Sequence, residues 1–266
     1  MTWLTWRQYR MQLLYAGLMF VAVTVFLVPT GLHRFSVYHA SGLAACVGAG
    51  GRCVDLHEPL DHAYDSVSGI VGWFHLVPVI VGVLLAAPLI SDLEQRTVRL
   101  AWTQSVTRRH WLALKLGVAL LAIVLFSVVF TALMTWWYAP LDRSQMLLKN
   151  DVGESFDFEG VMPFCYALFA FGLALASGVL SRRVLAAPLV AFVGFVVTLV
   201  TVQRIFQDNG AENAVATKPG RLIIEPPVAL RDMQHFWTMQ GIEAAIFISA
   251  ALVLVVVSVW LVQRRA

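Results

Sequence analysis

Six stretches of this chain are long, apolar and almost free of charge: about 11–32, 69–90, 111–138, 162–180, 184–203 and 242–262. At about 1.5 Å per residue, a helix of such length crosses the roughly 30 Å of hydrocarbon in a bilayer. Backbone amides and carbonyls find no water there, so each run must satisfy its own hydrogen bonds as a helix. A transmembrane barrel would instead show shorter segments of alternating polarity, and none is present. Composition agrees, since 59% of the 266 residues are hydrophobic and only 13% are charged. A soluble domain carries about 25% charged residues. The sequence therefore predicts an all-α polytopic membrane protein forming a single transmembrane domain over residues 1–266. A cleaved signal peptide is disfavoured for the first run, because its apolar core is too long and no small-x-small cleavage site follows closely.

Charge sets the orientation. If the N-terminus is cytoplasmic, eleven of the nineteen Lys and Arg residues fall on the inner side, accompanied only by Asp92 and Glu94. The inner side then carries +9 and the outer side −6, as the positive-inside rule expects. Both termini are thus expected inside, with outer loops at 34–68, 140–161 and 204–241. The one substantial inner loop is 91–110.

Several kinds of chemistry are excluded or disfavoured. A nucleotide-binding P-loop needs a lysine after a glycine-rich turn, but Lys115, Lys149 and Lys218 follow Leu114, Leu148 and Thr217. ATP-driven work would need another subunit. Ion-coupled transport needs ionisable groups near the midplane. Here Lys115 and Glu243 lie about one turn inside their spans, where their side chains are expected to reach the interface. His75 is expected to bond locally near the outer surface. An intramembrane enzyme would need paired catalytic groups, and Ser127 and Ser177 have no ionisable neighbour at similar depth. The stretch His57-Glu58-Pro59-Leu60-Asp61-His62 imitates a zinc motif. Its second histidine is one position late and Pro59 should disturb a helix, so it reads as a polar outer loop.

Cys46 and Cys53 flank a glycine-rich stretch on the oxidising side, so a disulfide is predicted, the alternative being two free thiols. Cys165 reads as a buried small hydrophobe. Pro78, Gly82 and Pro88 mark the second span as a bent helix that could line a conduit. Ala170, Ala174 and Gly178 form a small-residue ridge suited to close helix packing, within the subunit rather than between subunits.

The inner loop runs from Ser91 to His110. Ser91 with Glu94 has capping-box spacing, and Leu93, Thr97, Leu100 and Ala101 share a face, predicting a short interfacial helix. Physical chemistry alone leaves two readings: a basic loop resting on anionic headgroups, or a docking surface for a cytoplasmic partner. Glu94, Thr97, Leu100-Ala101, Val106, Arg108 and Lys115 follow a pattern that resembles the signature after the second span of type-2 ATP-binding-cassette (ABC) exporter permeases. The sequence departs from it at Arg96, where glycine is usual, and at Gln104-Ser105, where proline is usual. With "TWRQYR" at its N-terminus, the chain looks like a bacterial subgroup of that family.

The resemblance implies a permease subunit of the bacterial cell membrane that forms a homodimer or heterodimer with another six-span permease. Two cytoplasmic ATPases would power it. It would bind no cofactor itself, ATP and Mg2+ residing on the ATPase, and no nucleic acid. A coupling helix starting near Asp92 would contact the ATPase through Asp92, Glu94, Gln95, Arg96, Thr97, Arg99, Trp102 and Arg108. Trp3, Trp6, Arg7 and Arg10 would form an N-terminal interfacial helix. Candidate path residues are Trp73, Phe74, Pro78, Phe192 and Phe195. Two other functions stay open at this point: a non-transporting anchor or sensor for an ATPase, and an ion-coupled transporter.

Overall fold

The computed structural model describes residues 2–49, 53, 56, 58–94, 108–148, 156–181, 186–215 and 233–265. Among them, regular structure is entirely helical. We number the helices α1 (Thr2–Ala40), α2 (Leu43–Gly48), α3 (Glu58–Val71), α4 (Leu76–Glu94), α5 (Arg108–Leu148), α6 (Met162–Ser181), α7 (Ala186–Val215) and α8 (Met233–Arg265). A 3₁₀ turn, Gly72–His75, joins α3 to α4 in one continuous run. Among the described residues, five helical runs are long and apolar enough to cross a membrane, and α7 contributes a shorter apolar stretch, Ala187–Val202. The chain is a polytopic helical membrane protein.

The helices overrun the apolar stretches that betray them. The first spans Thr2–Ala40, about 58 Å at 1.5 Å per residue, so it protrudes beyond about 30 Å of hydrocarbon. The interfacial helix expected around Trp3 to Arg10 is therefore the opening of α1 itself, without a break. Much of the expected outer loop 34–68 is likewise helical. The reason is packing: Tyr38 of α1, Leu43 of α2, Cys53 and Leu60 of α3 bury one another in a small outer core. Gly42, at φ +76°, takes the left-handed backbone that reverses the chain between α1 and α2. Pro59 does not disturb α3. It occupies the first turn, where its missing N–H has no helical partner to lose.

The 3₁₀ turn has a similar origin. Pro78 sits in the first turn of α4 and cannot donate toward Phe74, and the backbone tightens just before it. His75 turns its Nδ1 back onto the Gly72 carbonyl.

At the centre stands α6, packed on α4, α5, α7 and α8. About 61% of its most apolar stretch is buried, against 17–22% for those of α1, α5 and α8. Small residues make this possible. A Cβ on Gly82 of α4 would lie 2.1 Å from the Ala167 carbonyl oxygen of α6, so the two backbones touch. A Cβ on Gly178 would lie 2.6 Å from the Ile90 side chain, and Gly172 faces the Ala251 carbonyl of α8. The ridge Ala170, Ala174, Gly178 thus packs inside the subunit. On the other flank, α1 packs against α3, α4 and α5. Hydroxyls within the spans return to their own helices: Thr24 to Phe20, Ser177 to Leu173, Thr198 to Gly194 and Ser258 to Leu254 carbonyls.

Candidate functional site

The ends of α1, α4 and α5 that the charge pattern assigns to the inner side meet at a buried ion pair. α4 continues through Ser91 and Asp92 to Glu94, so Ser91 is not the cap of a new helix, and Asp92 belongs to the last turn of the second span. A carboxylate there opposes the negative end of the helix dipole. Lys115, in the second turn of α5, supplies the compensating charge by binding the Asp92 carboxylate. Side chains on a helix lean toward its N-terminus, which for α5 is the inner side, so Lys115 slants down to the level of Asp92. The lysine side chain is 3% exposed and the aspartate 14%. Lys115 therefore does not extend to solvent as expected from its place near the span end. Its ammonium also lies 4.8 Å from the centre of the Trp111 ring. From α1, the fully buried Tyr9 donates its hydroxyl to the Lys115 carbonyl at 3.3 Å.

This knot marks the two roots of the inner segment. Glu94 is exposed at the end of α4, and Arg108 begins α5. Gln95, Arg96, Thr97, Arg99 and Trp102, expected at the ATPase contact, lie outside the described residues.

A second polar cluster caps the opposite end of the bundle, the side that the charge pattern assigns outside. Tyr166 of α6 donates to Asp157 Oδ1 at 2.8 Å, and its oxygen is 3.2 Å from Glu243 Oε1 of α8. The Tyr166 hydroxyl is shared between carboxyl groups of two different segments. Glu243 is thus buried and bonded rather than extended to the interface, contrary to the expectation from its position. Three residues before it, Gln240 donates Nε2 to the Phe156 carbonyl at 3.3 Å and to the Glu159 carbonyl at 3.0 Å. Gly160, at φ +62°, leaves room for this amide, since a Cβ would lie 2.3 Å from Gln240 Oε1. Burial raises the Asp157 carboxyl, while the Tyr166 hydroxyl and His75 act in the opposite sense. Glu159 is pushed up to about 8, first by burial and then by neighbouring Asp142.

Beside this cluster, Arg34 of α1 is fully buried and donates to the Trp137 carbonyl at 3.1 Å. Its guanidinium lies 4.0 Å from the Trp137 ring and 4.9 Å from that of Tyr64. The Cys46–Cys53 disulfide is formed, with Cα atoms 6.0 Å apart, and Cys165 is a buried free thiol.

The five candidate path residues are dispersed. Trp73 and Phe192 are exposed on the apolar surface. Pro78 is buried, and Phe74 packs edge-on against Phe26 at 5.6 Å in the α1–α5 core. Phe195 is sealed among Tyr166, Phe169 and Phe247. A groove of about 550 Å³ between α5 and the start of α6 is lined by other residues, among them Ser127, Thr131, Gly160 and Phe164. Sequence reasoning missed Tyr9, Asp157, Tyr166, Gln240 and the pairing of Asp92 with Lys115. A signal for that pairing was present: opposite charges near the two ends of one loop between antiparallel spans.

No curated protein and no solved structure gives a significant match. A family model described as "ABC-2 membrane transporter related" matches residues 17–207, well over half of the chain. That range takes in the spans from α1 into α7, the inner segment and the Asp92–Lys115 pair, and by this match the chain belongs to the ABC-2 membrane transporter related family.

Proposed function

We propose that this chain is the membrane permease subunit of an ABC exporter of the bacterial cell membrane, driven by a separate cytoplasmic ATPase. ATP and Mg2+ reside on that partner, and a second six-span permease, identical or related, completes the assembly. The observation that supports the reading is the anchoring of the family-like inner segment at its two described ends. It leaves the bilayer from α4 and α5, whose ends are joined by Asp92 and Lys115 and tied to α1 by Tyr9. A push on this segment has a rigid base to act upon. Glu94, Gln95, Arg96, Thr97, Arg99, Trp102 and Arg108 form the docking surface, and Asp92 supports it from within. Cargo would move along exposed apolar surfaces that include Trp73 and Phe192, while Phe74, Pro78 and Phe195 stiffen the walls behind them.

The test is reconstitution with the ATPase that copurifies with the chain. ATP-dependent movement of an amphipathic dye out of the ATPase-bearing side is expected, lost with Glu94→Lys while the subunit stays in the membrane. A stable complex that hydrolyses ATP and moves no cargo from a broad panel would favour an anchoring role. ATP-independent, ion-driven uptake would overturn the reading.

A further inference from the structure

The Asp92–Lys115–Tyr9 knot has an arrangement that stability alone does not explain. The pair is 3% and 14% exposed, and the helical turns that carry it contribute Leu89, Ile90, Leu112 and Ala119 to one buried apolar core that also holds Tyr9 and Val262. Desolvating two ions is costly, and buried pairs replaced by well-packed apolar residues are often as stable or more so. What such a pair does provide is a fixed register, because moving Lys115 away from Asp92 leaves a buried ammonium without its counter-charge. Asp92 lies three residues before Gln95 and Lys115 eight residues after Thr107, so the pair closes both roots of the inner segment. Tyr9 adds the third helix, bonding to the backbone of the same lysine. Trp111 covers the ammonium one turn nearer the inner surface.

We propose that Asp92, Lys115 and Tyr9 are positioning residues that make the inner ends of α1, α4 and α5 move as one body, so that displacement of the 95–107 segment is passed to α1. This rests on the permease reading above and adds to it the route by which motion leaves the docking surface. Without the pair, the segment could shift α4 against α5 and dissipate the stroke between them. With it, the three helices tilt together.

The experiment uses the permease with its copurifying ATPase in proteoliposomes, reading cargo moved per ATP hydrolysed and the melting temperature of each variant. Asp92→Asn, Lys115→Met and Tyr9→Phe are expected to lower cargo per ATP, the first two at least fivefold and the third about twofold. The exchanged pair Asp92→Lys with Lys115→Asp should recover more than half of the loss. The apolar pair Asp92→Leu with Lys115→Leu separates coupling from folding: melting unchanged, cargo per ATP still down at least fivefold. Full coupling in the apolar pair, or in both charge-removing single variants, overturns the proposal.

A second readout needs no ATPase and keeps the two readings distinguishable. Spin labels at exposed Met11→Cys of α1 and Ala113→Cys of α5 should give one narrow distance distribution in bilayers. Adding Asp92→Asn should broaden it. If the wild-type complex moves nothing, the permease reading fails and this distribution still decides the knot; an unbroadened distribution sinks it.

Discussion

Among the described glycines, Gly82 leaves the least room for a methyl group, so Gly82→Ala is a sharp test of the packing. Its added methyl would lie 2.1 Å from the Ala167 carbonyl oxygen, 3.0 Å from the Ala167 carbonyl carbon and 3.1 Å from the Phe171 amide nitrogen. All three atoms are backbone, so no rotamer change relieves the overlap. The helices must part by about 1 Å to restore van der Waals distance, and a gap of that size forfeits a quarter to a half of each contact along the interface. That interface includes Val81, Leu85, Ala86 and Leu89 of α4 with Phe171, Ala174 and Leu175 of α6. Overpacking a tight core costs about 1–3 kcal/mol, and the lost contacts place this site at the upper end, about 3 kcal/mol. Gly17→Ala is the control, since nothing lies within 4 Å of its Cβ position. Helix propensity there favours alanine by about 1 kcal/mol. Thermal unfolding in lipid nanodiscs, followed by near-ultraviolet circular dichroism, should therefore show a large loss for Gly82→Ala and none for Gly17→Ala. Equal melting of Gly82→Ala and wild type would refute backbone contact between α4 and α6.

Other tests address the outer side. Removing the Cys46–Cys53 bond as the double serine variant should cost about 2.5 kcal/mol from loop-closure entropy, seen as faster amide exchange at the outer end of α1 and in α2. Tyr166→Phe leaves the Asp157 and Glu243 carboxyls without their shared hydroxyl, and should destabilise by about 1–3 kcal/mol in chemical unfolding. Glu159, with a folded-state value of about 8 against an ordinary 4.5, stays protonated in the folded protein over a range in which the unfolded chain has ionised. Its contribution is most favourable below pH 4.5, declines as pH rises toward about 8 and is flat above. Melting against pH should show this slope, and Glu159→Gln should flatten it.

What the sequence disclosed divides along a physical line. Long apolar runs announce helices without ambiguity, because hydrocarbon permits little else, and the cores of the expected spans all fall within observed helices. Their ends were harder to place. Hydropathy reports where lipid begins, whereas the outer end of α1 is fixed by Tyr38 meeting Leu43 and Leu60, contacts that no local pattern encodes. The same limit applies to the polar residues. Lys115 and Glu243 each looked able to escape to water, and each is held inside by a partner distant in sequence, Asp92 and Tyr166. Phe192 and Phe195 carried identical signals, yet one faces outward and the other is sealed among three aromatic rings. Which side of a uniformly apolar helix meets protein is a tertiary fact.

The shielded position of α6 bears on how the protein is assembled. Its most apolar stretch has the lowest mean hydropathy of the five spanning runs, and its small residues offer little greasy surface to lipid. During synthesis it leaves the ribosome before α7 and α8, two of the neighbours that will enclose it, have been made. A newly inserted α6 is therefore a guest without its hosts, dependent on α4 and α5 or on the insertion machinery until the C-terminal third of the chain arrives. Truncation after α6 should thus give a product that the cell degrades quickly, even though every earlier segment is intact.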